Sequence, residues 1–133
     1  MDPTRLTAIP LFSDLSPEEA RRLATFATET SAGEGQILMK QGDYSTELIA
    51  IEEGTAAVLR DGKRVASLHR GDLIGEMGLI ERAPRNADVV ATSPMRLLKL
   101  THWEIRRMSE DTLDRIQKVI DDRRREGMAD PAR

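Results

Sequence analysis

Apolar and polar positions follow three successive rhythms along this chain, and each predicts a different kind of element. The first is helical. In "IPLFSDLSPEEARRLATFA" a polar Ser16 stands before Pro17, with Glu19 three positions on. Serine caps a helix, proline suits its first turn, and the glutamate can reach back to the cap. Leu15, just outside the cap, is placed to staple onto Ala20 or Leu23. A shorter helical turn is expected around residues 3–9. From Glu29 to Leu100 the rhythm shortens. Glycines at 33, 35, 42, 54, 62, 71, 75 and 78 punctuate runs such as "QILMK", "ELIAIEE", "TAAVLR", "RVASLH" and "MRLLKL". Short strands between turn residues predict an antiparallel sandwich or barrel. The clearest hairpin is "LRDGKRV", where Asp61-Gly62 supplies positive φ angles, and "IEEGTAAV" turns on Gly54. After Leu100 the helical rhythm returns. Thr101 is placed to cap "THWEIRRMSE", and "EDTLDRIQKVIDDRRRE" sets Leu113, Ile116, Val119 and Ile120 on one face before Gly127 ends it.

Composition narrows this picture. The chain has 133 residues, 39% hydrophobic and 32% charged, which suits one globular domain with one core. Aromatics are only 3%, so that core is built from Leu, Ile, Val, Ala and Met. No apolar run is long enough to cross a membrane, and "MDPTRL" does not open a signal peptide. The absence of cysteine removes disulfides, thiolate catalysis and Cys-ligated zinc, and suits the cytoplasm. A net charge of −3 gives no broad pull on nucleic acid.

The chemistry concentrates in "GEMGLIERAPRNADVV". A short helix opening on a glycine after a strand presents free backbone N–H groups, and these with the helix dipole favour an anion. Gly75 and Gly78 allow close backbone approach, and Arg85 offers a fork matched to two phosphate oxygens, its entry fixed by Pro84. A carboxylate beside an anion site repels phosphate unless it is engaged elsewhere, and a sugar hydroxyl is a sensible donor to Glu76. Glutamate, arginine and exposed N–H groups together read as a ribose-phosphate binder. A surface ion pair between Glu76 and Arg85, of small value, is the competing account.

"GDLIGEMGLIERAPRNADVVA" closely resembles the phosphate-binding cassette of cyclic nucleotide-binding domains, which show Gly-Asp, an aromatic, Gly-Glu, small and apolar residues, then Pro-Arg-x-Ala. "IPLFSDLSPEEARRLA" is similar to the family's helical entry, and "AGEGQILMKQGDYSTELIAIEEGTAAVL" to its first strands. The resemblance implies an α+β, mainly β, antiparallel double-stranded β-helix or jelly-roll. Residues 1–28 form N-terminal helices, 29–100 the β-roll with a short cassette helix inside the cassette 75–88, and 101–127 two C-terminal helices that serve as a lid. It implies that Glu76 accepts from the ribose 2′-hydroxyl and that Arg85 pairs with the cyclic phosphate. Backbone N–H groups near Gly75, Met77, Gly78, Leu79, Asn86 and Ala87 complete the cradle. Val58, with Met77 and Leu79, gives the base an apolar wall. Arg123 or Arg124 stacks on the purine from the lid; a solvated basic helix end is the simpler account of either one. Ile74 stands where the family often has an aromatic. Asn86 stands where it has Ala, Ser or Thr, which leans the ligand towards cAMP over cGMP.

Other residues read more simply. His69 and His102 are expected in a strand and at a helix start, Thr92, Ser93 and Ser109 as caps or turns, and Glu52-Glu53 as a solvated loop. Trp103 is expected to pack a helix onto the barrel. No nucleophile–base pair or metal cluster stands out, so an enzyme is not expected, nor a metal or a cofactor beyond the nucleotide ligand. The expected function is a cytoplasmic cyclic nucleotide sensor that repositions its C-terminal helix, without membrane insertion or direct nucleic-acid contact, acting on an effector protein the sequence does not name. With the chain stopping at Arg133 there is no room for a helix-turn-helix domain; a stand-alone protein and the sensor part of a longer channel, kinase or regulator both fit. A third reading is an interaction module that kept the fold without the ligand. The seam Leu113, Ile116 and Ile120 either covers the pocket or pairs two lids in a homodimer.

Overall fold

Two caps start the fold. The Asp2 side chain accepts from the Thr4 N–H at 3.0 Å and opens α1, Pro3–Thr7. That bond from the Thr4 backbone, with the Thr4 side chain next, holds the Asp2 carboxyl below its ordinary pKa. A 3-10 turn follows at Pro10–Phe12. Ser16 then makes the full capping box of α2, Pro17–Phe26: its Oγ accepts from the Glu19 N–H at 3.1 Å, and Glu19 Oε1 accepts from the Ser16 N–H at 3.2 Å. Leu15 packs against the cluster that holds Leu23, as the staple requires. In this computed structural model the described residues are 2–43, 47–74, 87–101, 107, 110, 114 and 118.

The described strands are β1 Thr28–Ala32, β2 Ile37–Met39, β3 Glu47–Glu53, β4 Ala56–Arg60, β5 Lys63–Leu68, β6 Leu73–Ile74, β7 Asp88–Ala91 and β8 Met95–Thr101. They form two four-stranded sheets, β1-β8-β3-β6 and β2-β7-β4-β5, and every strand pairing is antiparallel. The mainly β, antiparallel roll expected from the sequence is therefore present. Asp61 at φ 54° and Gly62 at φ 80° make the β4–β5 turn, the two positive angles a two-residue hairpin demands.

Strand alternation explains how the layers join. In β3, Leu48 and Ala50 face a cluster with Leu6, Ile9, Phe12, Leu23, Leu98 and Leu100, so the N-terminal helices cover one side of the first sheet. Ile49 and Ile51 face the roll interior, with Val58, Leu68, Ile74, Val89, Met95 and Leu97. A strand buried on both faces reads as a continuous apolar run, and "ELIAIEE" does. The second sheet packs its inward face on that interior, while Ile37 and Val65 stay about half exposed.

Three sequence expectations change. Thr101 is the last residue of β8, paired with Glu47, rather than a helix cap; its hydroxyl is buried without a hydrogen-bond partner among the described residues. Glu52 and Glu53 end β3 instead of forming a solvated loop, because α1 reaches Glu52. Arg5 Nε donates to Glu52 Oε2 at 2.9 Å, Nη2 donates to Oε1, and Nη1 donates to Glu29 of β1. The bond to Glu52 raises the Arg5 pKa further, so this bracket between helix and sheet stays charged. His69 lies just past β5 in a turn, where its N–H donates to Asp72 Oδ2 at 2.8 Å. Thr92 and Ser93 are turn residues as expected, and Ser93 Oγ accepts from the Thr55 N–H at 2.9 Å. Beyond β8, the described residues Glu110, Asp114 and Lys118 are helical and exposed. Trp103, His102, Ser109, Leu113, Ile116, Val119 and Ile120 lie outside the described residues.

Candidate functional site

The segment singled out by the sequence begins and ends in different sheets. β6 delivers the chain to residue 75 after pairing Ile74 with Ile49 and Leu73 with Ala50 in the first sheet. β7 receives it from Ala87, pairing Asp88 with Leu59 and Val89 with Val58 in the second. Residues 75–86 thus connect the two sheets. Both ends are held in the same core: Ile74 and Ala87 are buried at 1% and 0% exposure within the interior cluster. Aliphatic Ile74 fills this position where relatives of the motif often place an aromatic.

Val58, expected to face the base, is fully buried in that same cluster, opposite Val89 on one side and Ala66 on the other. Val58 and Ala87 are thereby brought into one cluster. Gly75, Glu76, Met77, Gly78, Leu79, Arg85 and Asn86 of the cassette, and Arg123 and Arg124 of the lid, lie outside the described residues. An open polar groove of about 270 Å³ lies elsewhere, at the β1–β8 edge beside Arg5, Glu29, Glu52 and Arg96. Among the described residues no group of His, Cys, Asp and Glu is arranged to hold a metal ion, and no helix is long and apolar enough to cross a membrane.

Residues 29–112 match the cyclic nucleotide-binding domain, more than half of the chain and all strands but the first residue of β1. The chain belongs to the cyclic nucleotide-binding domain family. It is 30% identical over 110 residues to the cAMP-dependent protein kinase regulatory subunit of Schizosaccharomyces pombe, covering 82% of this chain and 27% of that protein. The crystal structure of the Thermus thermophilus catabolite activator protein superposes with a TM-score of 0.76 at 28% identity, over 89% of this chain and 59% of the other. The regulatory subunit of a cAMP-independent protein kinase A from Trypanosoma brucei superposes with a TM-score of 0.79 at 26% identity, over 92% and 44% of the two chains. The chain spans 21% to 32% of the length of the curated relatives it matches. One of these kinase regulatory subunits is named cAMP-dependent and the other cAMP-independent, so similarity to them does not by itself choose the ligand.

Two features at the site were not singled out in the sequence. Asp88 and Gln41 are joined by a hydrogen bond where β7 leaves the cassette. A lone Asp after "PRNA" and a Gln before Gly42 carry no signal by spacing, because the contact spans 47 residues of sequence.

Proposed function

We propose that this domain binds a cyclic purine mononucleotide, cAMP in preference to cGMP, and reports it through its C-terminal helix. One observation supports this above the others. The two ends of the 75–86 segment are pinned into a single buried core that also holds Val58, while the segment's sequence supplies Gly75, Glu76 and Arg85 in the order a ribose-phosphate site requires. In this reading Arg85 and the backbone N–H groups of the cassette take the phosphate. Glu76 takes the ribose hydroxyl, Val58 lies beneath the base, and Arg124 lies on the lid. The nucleotide shifts the population towards a closed lid only by binding that state better. The regulatory subunits among the relatives support a regulatory rather than catalytic role, with an effector protein as the partner. Pairing of two lids through Leu113, Ile116 and Ile120 remains part of the proposal.

Titration calorimetry of nucleotide-free protein with cAMP and then cGMP, beside Arg85→Ala, tests this reading. The expected result is saturable one-to-one binding, tighter for cAMP, and about ten- to a hundredfold or more weaker in the variant, since loss of a charge-assisted pair costs roughly 1.5–3 kcal/mol or more. Binding that survives Arg85→Ala overturns the cassette assignment. Wild-type protein that takes up neither nucleotide leaves the ligand-independent interaction module as the function.

A further inference from the structure

At one end of the second sheet the chain leaving β2, the β4–β5 turn and the first residue of β7 are tied together by hydrogen bonds. Leaving β2, Gln41 donates its backbone N–H to Asp88 Oδ1 at 2.6 Å. Its side-chain amide faces the β4–β5 turn: Nε2 donates to Asp61 Oδ1 at 3.1 Å, and Oε1 accepts from the Asp61 N–H at 3.2 Å. The amide orientation follows from its partners, because a flipped amide would set a nitrogen against an N–H and an oxygen against a carboxylate. Gln41 therefore joins the hairpin tip to the first residue of β7.

The position of Asp88 gives this lock its significance. It is three residues after Arg85, in the chain leaving the cassette. Its backbone is fixed on one side by pairing with Leu59. Its side chain is fixed on the other by Gln41. A carboxylate three residues along the chain from the arginine proposed to take the phosphate adds no attraction for an anion. Its use must lie in what it holds. Building on the proposed function, we propose that Asp88 is a positioning residue for nucleotide binding: by anchoring to the Gln41 N–H it sets the direction in which the Arg85 arm leaves β7.

Three variants separate this role from its competitors. Asp88→Ala removes the acceptor and is expected to weaken cAMP binding about five- to tenfold, the scale of one charge-assisted hydrogen bond at a partly exposed site. Its Tm is expected within about 3 °C of wild type, as for a surface change. Asp88→Asn keeps an acceptor oxygen without the charge, and is expected to bind cAMP as tightly as wild type or more tightly. Gln41→Ala keeps the backbone bond to Asp88 and loses only the hairpin tie, with a smaller expected effect than Asp88→Ala. Equal affinity in wild type and Asp88→Ala overturns the proposal, as does Asp88→Asn falling as far as Asp88→Ala. Hydrogen exchange at the Gln41 amide provides an arm without nucleotide. Faster exchange in Asp88→Ala than in wild type is expected; unchanged exchange means the lock is absent and overturns the proposal. If wild type binds no cyclic nucleotide while the exchange difference is present, the function reading has failed and the lock has not.

Discussion

Among the described glycines Gly54 has the least room for a side chain. It joins β3 to β4 at φ +96°, a conformation that side chains rarely adopt. A Cβ placed there would lie 2.4 Å from the Pro94 carbonyl oxygen, 2.8 Å from Met95 Cγ and 2.9 Å from Met95 Cα. Two of those three atoms are backbone, and the chain at Met95 is the start of β8, whose side chain is 2% exposed. A rotamer change cannot relieve the clash. Gly54→Ala therefore adds two costs: about 1–2 kcal/mol for a Cβ at positive φ and about 1–3 kcal/mol for overpacking against backbone that must shift. Reduced freedom of the unfolded chain returns about 0.4–1 kcal/mol. The expected net loss is roughly 3 kcal/mol, read from urea unfolding at constant m-value. Gly62→Ala supplies the internal control, because it shares a positive φ of 80° but has nothing within 4 Å of the added carbon. It should cost only about 1 kcal/mol, the conformational part alone. Gly33→Ala, with open space and no such backbone angle, should fall within about 0.5 kcal/mol of wild type. A Gly54→Ala variant no less stable than Gly62→Ala would refute the steric half of this reasoning.

Other perturbations follow from the same contacts. Ser16→Ala should cost about 1 kcal/mol in urea unfolding by removing one arm of the capping box, and Ser16→Asp should restore most of it. Phe12→Ala should cost about 3–5 kcal/mol, since the ring is fully buried between the helices and the first sheet and leaves a cavity there. The Asp2 carboxyl, lowered by its bonds from Thr4, stabilises the fold above the unfolded value near 3.8, and that contribution is lost as pH falls through the still lower folded value. Thermal unfolding of wild type and Asp2→Ala should therefore differ at neutral pH and converge as pH falls through the lowered folded value; a gap that persists in acid would separate the cap from the carboxylate charge.

The N-terminal helices and the longer strands were legible because their local signals and tertiary roles agree. Ser16-Pro17-Glu19 spells a cap, and "ELIAIEE" spells a strand buried on both sides. The parts that were not legible are those whose identity is set by distant partners. β1 reads "TETSA", polar but for Ala32, because it is a sheet edge that buries only that residue and is ordered by five register pairs with β8. β6 is two residues long and cannot show a period. Glu52 looked like a loop acid because its partner, Arg5, is 47 residues earlier. Val58 and Ala87 of the site were reached through the resemblance of the cassette and the strands around it rather than through any period of their own. Asp88 was passed over because its partner also lies 47 residues away.

β3 joins these observations into one physical argument about signalling. Its successive residues belong alternately to two cores: Leu48 and Ala50 to the helix-covered cluster, Ile49 and Ile51 to the roll interior. Ile49 is also the pairing partner of Ile74, the last residue before the cassette. Close-packed interiors do not deform smoothly, so a rearrangement that moves Ile74 must be accommodated at Ile49 or transmitted past it. Only a single peptide unit then separates Ile49 from Leu48 and from Ala50, which carry Leu6, Phe12 and Leu23 on the far side of the sheet. The Arg5–Glu52 bracket sits on the same strand and ties α1 to it directly. The N-terminal helices are therefore in packed contact, through one strand, with β6, the strand that precedes the cassette. Contiguity of this kind becomes coupling only if both ends bias the same pair of states, and β3 is the element in which those two states would have to differ.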